Sequence, residues 1–394
     1  MAIILNDIYQ KTKHQFKLHL VAGKNGMSHI MRWIYIAEDI NNLSFLKGGE
    51  LAISTGLSLS HTDNWLPSFI MSLIKHNACG LILNTGKYIQ ENDITPDIYQ
   101  LCDKYDFPLF LMPWEIYLSD ISQTYSNYIF QDNQRIDTLS GAFKTIIRYE
   151  SPQPEAHHIL LDSNYHDFDS YFITVIEFTE DGQSSFPSCL EVISHHISSF
   201  LLLREIDFSI FDYKKRIILV WHQTDKNYMK TFLESLLQII RELPSIHTVH
   251  MGIGSCISGF QNLRTSYKQA CAALIMATYQ QCSHYDFDHF GIYQIFFSIP
   301  DKALLRKFYV EKIGFLEDYD ATHHTSYLDT LECYLKYNGR IDTMANAMIC
   351  HRNTINYRLR HLKELLGENI EDGDIRFQLQ LAYSIRHYLN IFKE

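Results

Sequence analysis

One stretch near the C-terminus constrains this chain more than any other: Asn338–Gly367, reading NGRIDTMANAMICHRNTINYRLRHLKELLG. Asn338-Gly339 stops a preceding helix whose Leu328, Leu331 and Leu335 share one face. Asp342 or Thr343 can cap a short helix with Ile341, Met344, Ala345 and Met348 at helical spacing. Ala345 is small where two helices would cross closely, and Ile349–His351 fits a turn. From about Asn353 to Leu366 a longer helix buries Ile355, Leu359, Leu362 and Leu366. It turns Asn353, Asn356, Tyr357, Arg360 and Glu364 outward, and Gly367 is a ready C-cap. A short helix, a turn and a longer polar-faced helix is the geometry that lays the second helix in a DNA major groove. The plainer reading is a three-helix packing unit with solvated charges.

Charge bears on that choice. The 394-residue chain carries a formal net charge of −11, so the molecule as a whole repels polyanions and DNA contact needs a local basic patch. Residues 340–366 supply one. Arg340, Arg352, Arg358, Arg360 and Lys363 face only Asp342 and Glu364, a local +3. Arg and Asn suit bidentate contacts to guanine and adenine, flanking bases neutralise phosphates, and a helix N-terminus favours a nearby phosphate. The expected partner is double-stranded DNA.

Upstream, the pattern is mixed. Over residues 1–118, short apolar runs at Leu51–Ser54, Gly80–Leu83 and Leu109–Met112 alternate with helical stretches at Leu66–His76 and Ile94–Tyr105, which predicts an α/β domain. Residues 119–150 read as a connecting helix. Ile129, Ile136 and Phe143 recur at seven-residue spacing beside Leu139 and Ile146, with Asp132 interrupting. Such a helix either pairs with a second copy or docks on its own domain. Ser151–Glu155 (SPQPE) reads as a helix stop and linker. Residues 156–297 give strand, helix, strand, strand, helix, strand, helix: Tyr171–Phe178, Leu190–Leu203, Phe208–Phe211, Ile217–Trp221, Tyr228–Leu243, Thr248–Ile253 and Leu263–Tyr279. That order is ferredoxin-like with one helix added. Residues 300–394 are helical throughout. The fold class expected is therefore multidomain α/β plus α.

His351–Leu366, with its HRNT-x-x-YRL core, resembles the C-terminal helix-turn-helix of the PucR family, and the trailing Ile375–Leu389 helix fits the same pattern. Leu5–Gly56 resembles the N-terminal PucR-type domain through Leu20–Gly23, Trp33 and Phe45–Gly56. Residues 165–290 resemble the degenerate GGDEF-like domain through Met251–Gly254 and Ser266–Ala273. The resemblance implies a DNA-facing group of Arg352, Asn353, Thr354, Asn356, Tyr357, Arg358 and Arg360. Periodicity puts Arg358 near the buried edge, as a phosphate or packing residue, and Lys363 joins the group as a phosphate-neutralising base. The resemblance also implies a regulator, more an activator than a repressor, of catabolism or transport of nitrogenous small molecules such as purines or amino acids.

Other motifs point elsewhere or nowhere. An active diguanylate cyclase needs paired glycines and acids at a hairpin where this chain has Asp212-Tyr213-Lys214-Lys215-Arg216, so no enzyme activity is expected. Gly252-x-Gly254 lacks the rest of a dinucleotide motif and reads as a strand end. Lys47-Gly48-Gly49-Glu50 either lets backbone approach a ligand or forms a tight turn. Thr55-Gly56 and Asn84-Thr85-Gly86 follow strands, where α/β sheets bind ligands. A small-molecule effector would thus meet Gly48, Gly49, Glu50, Thr55, Asn84 or Thr85.

The histidine pairs at 157/158, 195/196 and 323/324 make no chelate, and no cysteines form C-x-x-C, so neither cofactor nor metal is expected. No apolar run reaches membrane-span length, the N-terminus lacks a basic leader, and the cytoplasm is the expected compartment. A homodimer on paired half-sites is expected because one such motif binds weakly. The rivals are a ligand-responsive scaffold that contacts only proteins and a nucleotide-processing enzyme.

Overall fold

The computed structural model describes residues 3–57, 65–151, 153–180, 186–202, 204, 206–243 and 246–392. The chain divides into two compact units, Met1–Val249 with Cys256–Thr265, and His250–Ser255 with Ser266–Glu394.

The first unit opens with β1 (Ile3–Ile4), α1 (Leu5–Thr12), β2 (His19–Ala22), β3 (Ile30–Met31), β4 (Trp33–Ile36) and β5 (Glu50–Ser54). It continues with α2 (Trp65–Lys75), β6 (Gly80–Thr85), α3 (Pro96–Lys104), β7 (Leu109–Pro113) and the long α4 (Leu118–Arg148). A five-stranded sheet runs in the order β2-β7-β6-β5-β4. Its four strands β4 to β7 are parallel, and β2 closes one edge antiparallel to β7. Alternation along the strands makes two faces. Ala52, Leu81, Leu83, Leu109 and Leu111 pack on α2 and α3. Leu51, Ile53, Ile82, Phe110 and Met112 pack on α1 and on Ile121, Tyr125 and Ile129 of α4. This core therefore reaches Ile129, beyond residue 118.

Helix α4 then leaves the first core and enters a second. Ala142, Phe143, Ile146 and Ile147 are buried, and the Phe143 ring meets Tyr165 edge-on at 5.1 Å and stacks on Phe211 at 6.1 Å. Of the seam expected to pair between copies, Ile129, Phe143 and Ile146 are consumed by these two cores; only Ile136 and Leu139 stay partly exposed. Docking within the chain accounts for the apolar spacing at both ends.

The segment read as a linker already contains the start of α5 (Pro154–Asp162), with Pro154 at the first turn where a missing N–H costs nothing. There follow β8 (Ser170–Glu180), α6 (Phe186–Leu202), β9 (Phe208–Tyr213), β10 (Arg216–His222), α7 (Lys226–Arg241), β11 (Ile246–Ile253) and β12 (Ile257–Ser258). The strand order is β11-β8-β10-β9, with β8 and β9 each antiparallel to β10 and β12 pairing off β8. Residues Lys214 and Lys215 make the β9–β10 hairpin, and both have positive φ, 51° and 59°. That is the conformation of a two-residue I′ turn, which favours Asn and Gly.

In the second unit, the end of β11 pairs parallel with β13 (His284–Asp286), and α8 (Leu263–Tyr279) packs on it. A Cβ on Gly252 would lie 2.0 Å from the Ala270 carbonyl oxygen, and one on Gly254 would lie 2.2 Å from that of Ser266. The Gly-x-Gly is thus a close strand–helix approach. Next come α9 (Tyr293–Ser298), α10 (Lys302–Tyr309), a π turn at Val310–Gly314, α11 (Phe315–His323), α12 (Tyr327–Lys336), α13 (Ile341–Ala347), α14 (Arg352–Leu366) and α15 (Gly373–Phe392). Leu331, Met344, Ile355, Leu362 and Leu379, all fully buried, centre the core of this helical region.

Candidate functional site

Helix α13 starts at Ile341, with Arg340 at the N-cap and no side-chain cap, so neither Asp342 nor Thr343 caps it. The helix begins before them because Ile341 joins the apolar face with the buried Met344 and Ala345. The turn hinges on Ile349, which holds φ of 52° while Cys350 N–H donates to the Ala345 carbonyl at 3.0 Å. This is a helix stop usually given to Gly or Asn. Ile349 is also 93% exposed, an apolar tip that sequence periodicity did not single out. His351 caps α14, its Nδ1 accepting from Asn353 N–H at 3.2 Å, and Gly367 closes the helix at φ 64°.

Between these caps α14 is two-faced. Ile355, Leu359 and Leu362 are buried and Leu366 half-buried. Arg352, Asn353, Thr354, Asn356, Tyr357 and Arg360 are exposed, and Arg358 is half-buried at the boundary. The Arg360 guanidinium lies 5.8 Å from the Tyr357 ring centroid, and Tyr357 meets His361 edge-on at 5.0 Å. Most of the polar group therefore clusters over the first half of the helix, toward the positive end of its dipole. Lys363 stands apart: in the last turn it bonds Glu371 at 2.6 Å, and that hydrogen bond, with the ammonium charge, draws the Glu371 carboxyl below its ordinary value.

The effector candidates do not form one site. Gly48, Gly49 and Glu50 lie at the entry to β5; Thr55, Asn84 and Thr85 lie at the exits of β5 and β6. Glu50 is buried, its two carboxylate oxygens accepting from the backbone N–H of Lys47 and Gly48, both at 2.8 Å. It clasps the loop instead of presenting a carboxylate. Asn84 donates to the Pro113 carbonyl at 3.1 Å and Thr85 to that of Met112 at 3.4 Å, while Thr55 N–H donates to Glu38 at 2.7 Å. These groups tie strand ends together. Gly48 and Gly49, at φ 97° and 81°, border an open cleft of about 530 Å³ that also takes in Arg32, Lys47 and His196. The doubled glycine was the only sequence sign of it.

Sequence reasoning also missed a buried polar cage. His222 bonds Asp207 through Nδ1 at 2.6 Å and Asp169 through Nε2 at 2.8 Å, and packs against the rings of Tyr165 and Tyr171. Gln223 and the backbone N–H of His166 complete the shell of Asp169. Burial disfavours a charged imidazole, but the hydrogen bonds to Asp207 and Asp169 and their charges outweigh it and raise His222. Burial likewise opposes the Asp169 carboxylate, but its hydrogen bonds from His222, Gln223 and His166 hold it below the usual range. Among the described residues no cluster of His, Cys, Asp and Glu could hold a metal, and no helix is long and apolar enough to cross a membrane.

Comparison with known proteins places these features. Residues 7–129 match the model of the purine catabolism regulatory protein-like family, 153–276 that of a GGDEF-like domain, and 327–385 that of the PucR C-terminal helix-turn-helix domain. The DNA-binding transcriptional activator AdeR of Bacillus subtilis is 25% identical over 45% of this chain and 43% of its own. The proline-responsive transcriptional activator PutR of the same organism is 25% identical over 54% and 53%. Its purine catabolism regulatory protein is 30% identical over 26% and 19%. The matches thus span about half of the first two relatives and a fifth of the third. The crystal structure of a regulator of polyketide synthase expression from Bifidobacterium adolescentis aligns with TM-score 0.29 at 15% identity, over 62% of this chain and 96% of that one.

Proposed function

Because this chain belongs to the PucR family, carrying its N-terminal, GGDEF-like and helix-turn-helix domains, we propose that it is a ligand-responsive DNA-binding activator of transcription. Its targets are genes for handling nitrogenous small molecules such as purines or amino acids; the purine- and proline-linked relatives support that class. The observation that carries the reading is the exposed polar face along the first half of α14, from Arg352 to Arg360, set opposite a closed apolar stripe. Arg352, Asn353, Thr354, Asn356, Tyr357 and Arg360 meet bases and phosphates, Arg358 packs or touches a phosphate at the edge, and Lys363 reaches DNA only by leaving Glu371.

The division follows the matched segments: a sensor over the N-terminal sheet, α4 as connector, a ferredoxin-like middle domain and the helical DNA reader. The β11-β8-β10-β9 order supports the ferredoxin-like assignment. The middle domain is non-catalytic, since Lys214 and Lys215 occupy the hairpin where a cyclase needs glycines to admit phosphates. The protein works in the cytoplasm as a homodimer, a single recognition helix giving too little affinity alone.

Arg352→Ala and Asn356→Ala test the reading. Each should cost about 1–3 kcal/mol of operator binding in a salt-controlled mobility shift, with an unchanged melting temperature, because both side chains are exposed. Wild-type protein should bind as two chains per duplex. Cooperative loss of folding in either variant, or equal affinity for operator and random DNA, would defeat the proposal and favour a scaffold that contacts only proteins.

A further inference from the structure

The cleft beside the doubled glycine has a one-sided chemistry. Arg32, Lys47, His29 and His196 all line it. No Asp or Glu is among its described lining residues, and the nearby Glu50 spends both oxygens on the Lys47 and Gly48 amides. His29 is oriented there by its Nδ1, which donates to the Cys79 carbonyl at 3.2 Å. The positive potential acts on a neighbour already: burial, and then the charge of Arg32, hold the His196 imidazole below its ordinary value. Ile30, Ile74, Phe107 and Val192 give the lining an apolar part, and Ser28, Asn77 and Ser199 add neutral polar groups. A volume of 530 Å³ is that of a small-molecule site.

The local fold maintains this arrangement. Gly49 N–H donates to the Asn77 carbonyl at 2.7 Å, and Arg32 N–H donates to the Gly49 carbonyl at 2.8 Å. A Cβ on Gly49 would come within 3.1 Å of the Arg32 stem, so only glycine leaves that side chain where it lies. Val192, His196 and Ser199 come from α6, and the other groups come from the N-terminal sheet domain: β3 and its flanking loops, the loop before β5, the end of α2 with the loop after it, and the α3–β7 connection. An occupant would therefore touch the N-terminal sheet domain and the GGDEF-like domain together.

We propose that this cleft is the effector site and that it binds a small organic carboxylate with an apolar body. The carboxylate sits between Arg32 and Lys47, and the body lies toward Ile74, Phe107 and Val192. This inference rests on the ligand-responsive reading above and gives it a chemical class.

Isothermal titration of the full chain, without DNA, tests it with phenylacetate and 4-methylpentanoate as probes and phenylacetamide as the neutral counterpart of the first. At least one carboxylate should bind saturably with one site per chain, and phenylacetamide at least tenfold more weakly than phenylacetate. Arg32→Gln should lose at least tenfold in carboxylate affinity. Lys47→Gln should lose severalfold and guards against misfolding of the first variant. Failure of both carboxylates to bind, equal binding of the amide, or unchanged affinity in both variants overturns the inference. Operator binding is measured separately. If a carboxylate occupies the cleft with no effect on operator affinity, the ligand-responsive reading fails while the site stands; if operator affinity responds to a different molecule in Arg32→Gln protein, the site fails while that reading stands.

Discussion

His222 holds two carboxylates at once, and that ties its contribution to stability to pH. Its stabilising contribution is present in full below the ordinary imidazole value of 6.5 and fades as pH rises through the raised folded value. Asp169 acts in the opposite sense: its contribution is present above the ordinary carboxylate value of 3.8 and fades as pH falls through the lowered folded value. The cage should stabilise most between those two ordinary values. Denaturant unfolding followed from pH 5.5 to pH 9 should show stability falling on the alkaline side. His222→Gln should flatten that limb and cost about 3 kcal/mol at pH 5.5, because it leaves Asp169 buried without its charge partner. A wild-type curve as flat as the variant's would mean that the imidazolium is not held as described. None of this was legible in sequence. Asp169, Asp207 and His222 are far apart along the chain, and only the β8–β10 and β9–β10 registers bring them together.

At the scale of elements, legibility followed burial. Helix α14 could be read because Ile355, Leu359 and Leu362 repeat at helical spacing and one core takes them all. Central strands β5, β6 and β7 announced themselves as continuous apolar runs, buried on both faces. The edge strands β2 and β4 did not, because His19 and Trp33 face solvent and neither strand exceeds four residues. Helix α5 was hidden by its own start signal, since Pro154 reads as a breaker until the residues after it are seen to be helical. For the cleft, sequence offered Lys47 and the two glycines but not the rest, because His29, Arg32 and His196 are grouped only by strand and helix placement. The β9–β10 hairpin permits a direct test of strain. With Lys214 and Lys215 both left-handed, the double substitution Lys214→Asn and Lys215→Gly should raise unfolding free energy by about 1–2 kcal/mol. A decrease would show that the lysines have interactions that offset their backbone cost.

At the scale of the molecule, the feature with the widest reach is α4. Its 31 residues span about 46 Å as one helix, with Ile121, Tyr125 and Ile129 in one core and Phe143, Ile146 and Ile147 in another. The stretch between them, from Phe130 to Gly141, has no fully buried residue. No loop interrupts the helix to absorb movement. The practical outcome concerns anyone who wishes to cut the N-terminal portion free. A fragment ending at residue 118 forfeits three buried side chains worth roughly 1.5–3 kcal/mol each, which is most of a domain's usual margin. Thermal melts should find that fragment without a cooperative transition and one carried past Ile129 with it restored. The scissors must follow the rod, whatever a boundary drawn at the sheet's last strand would advise.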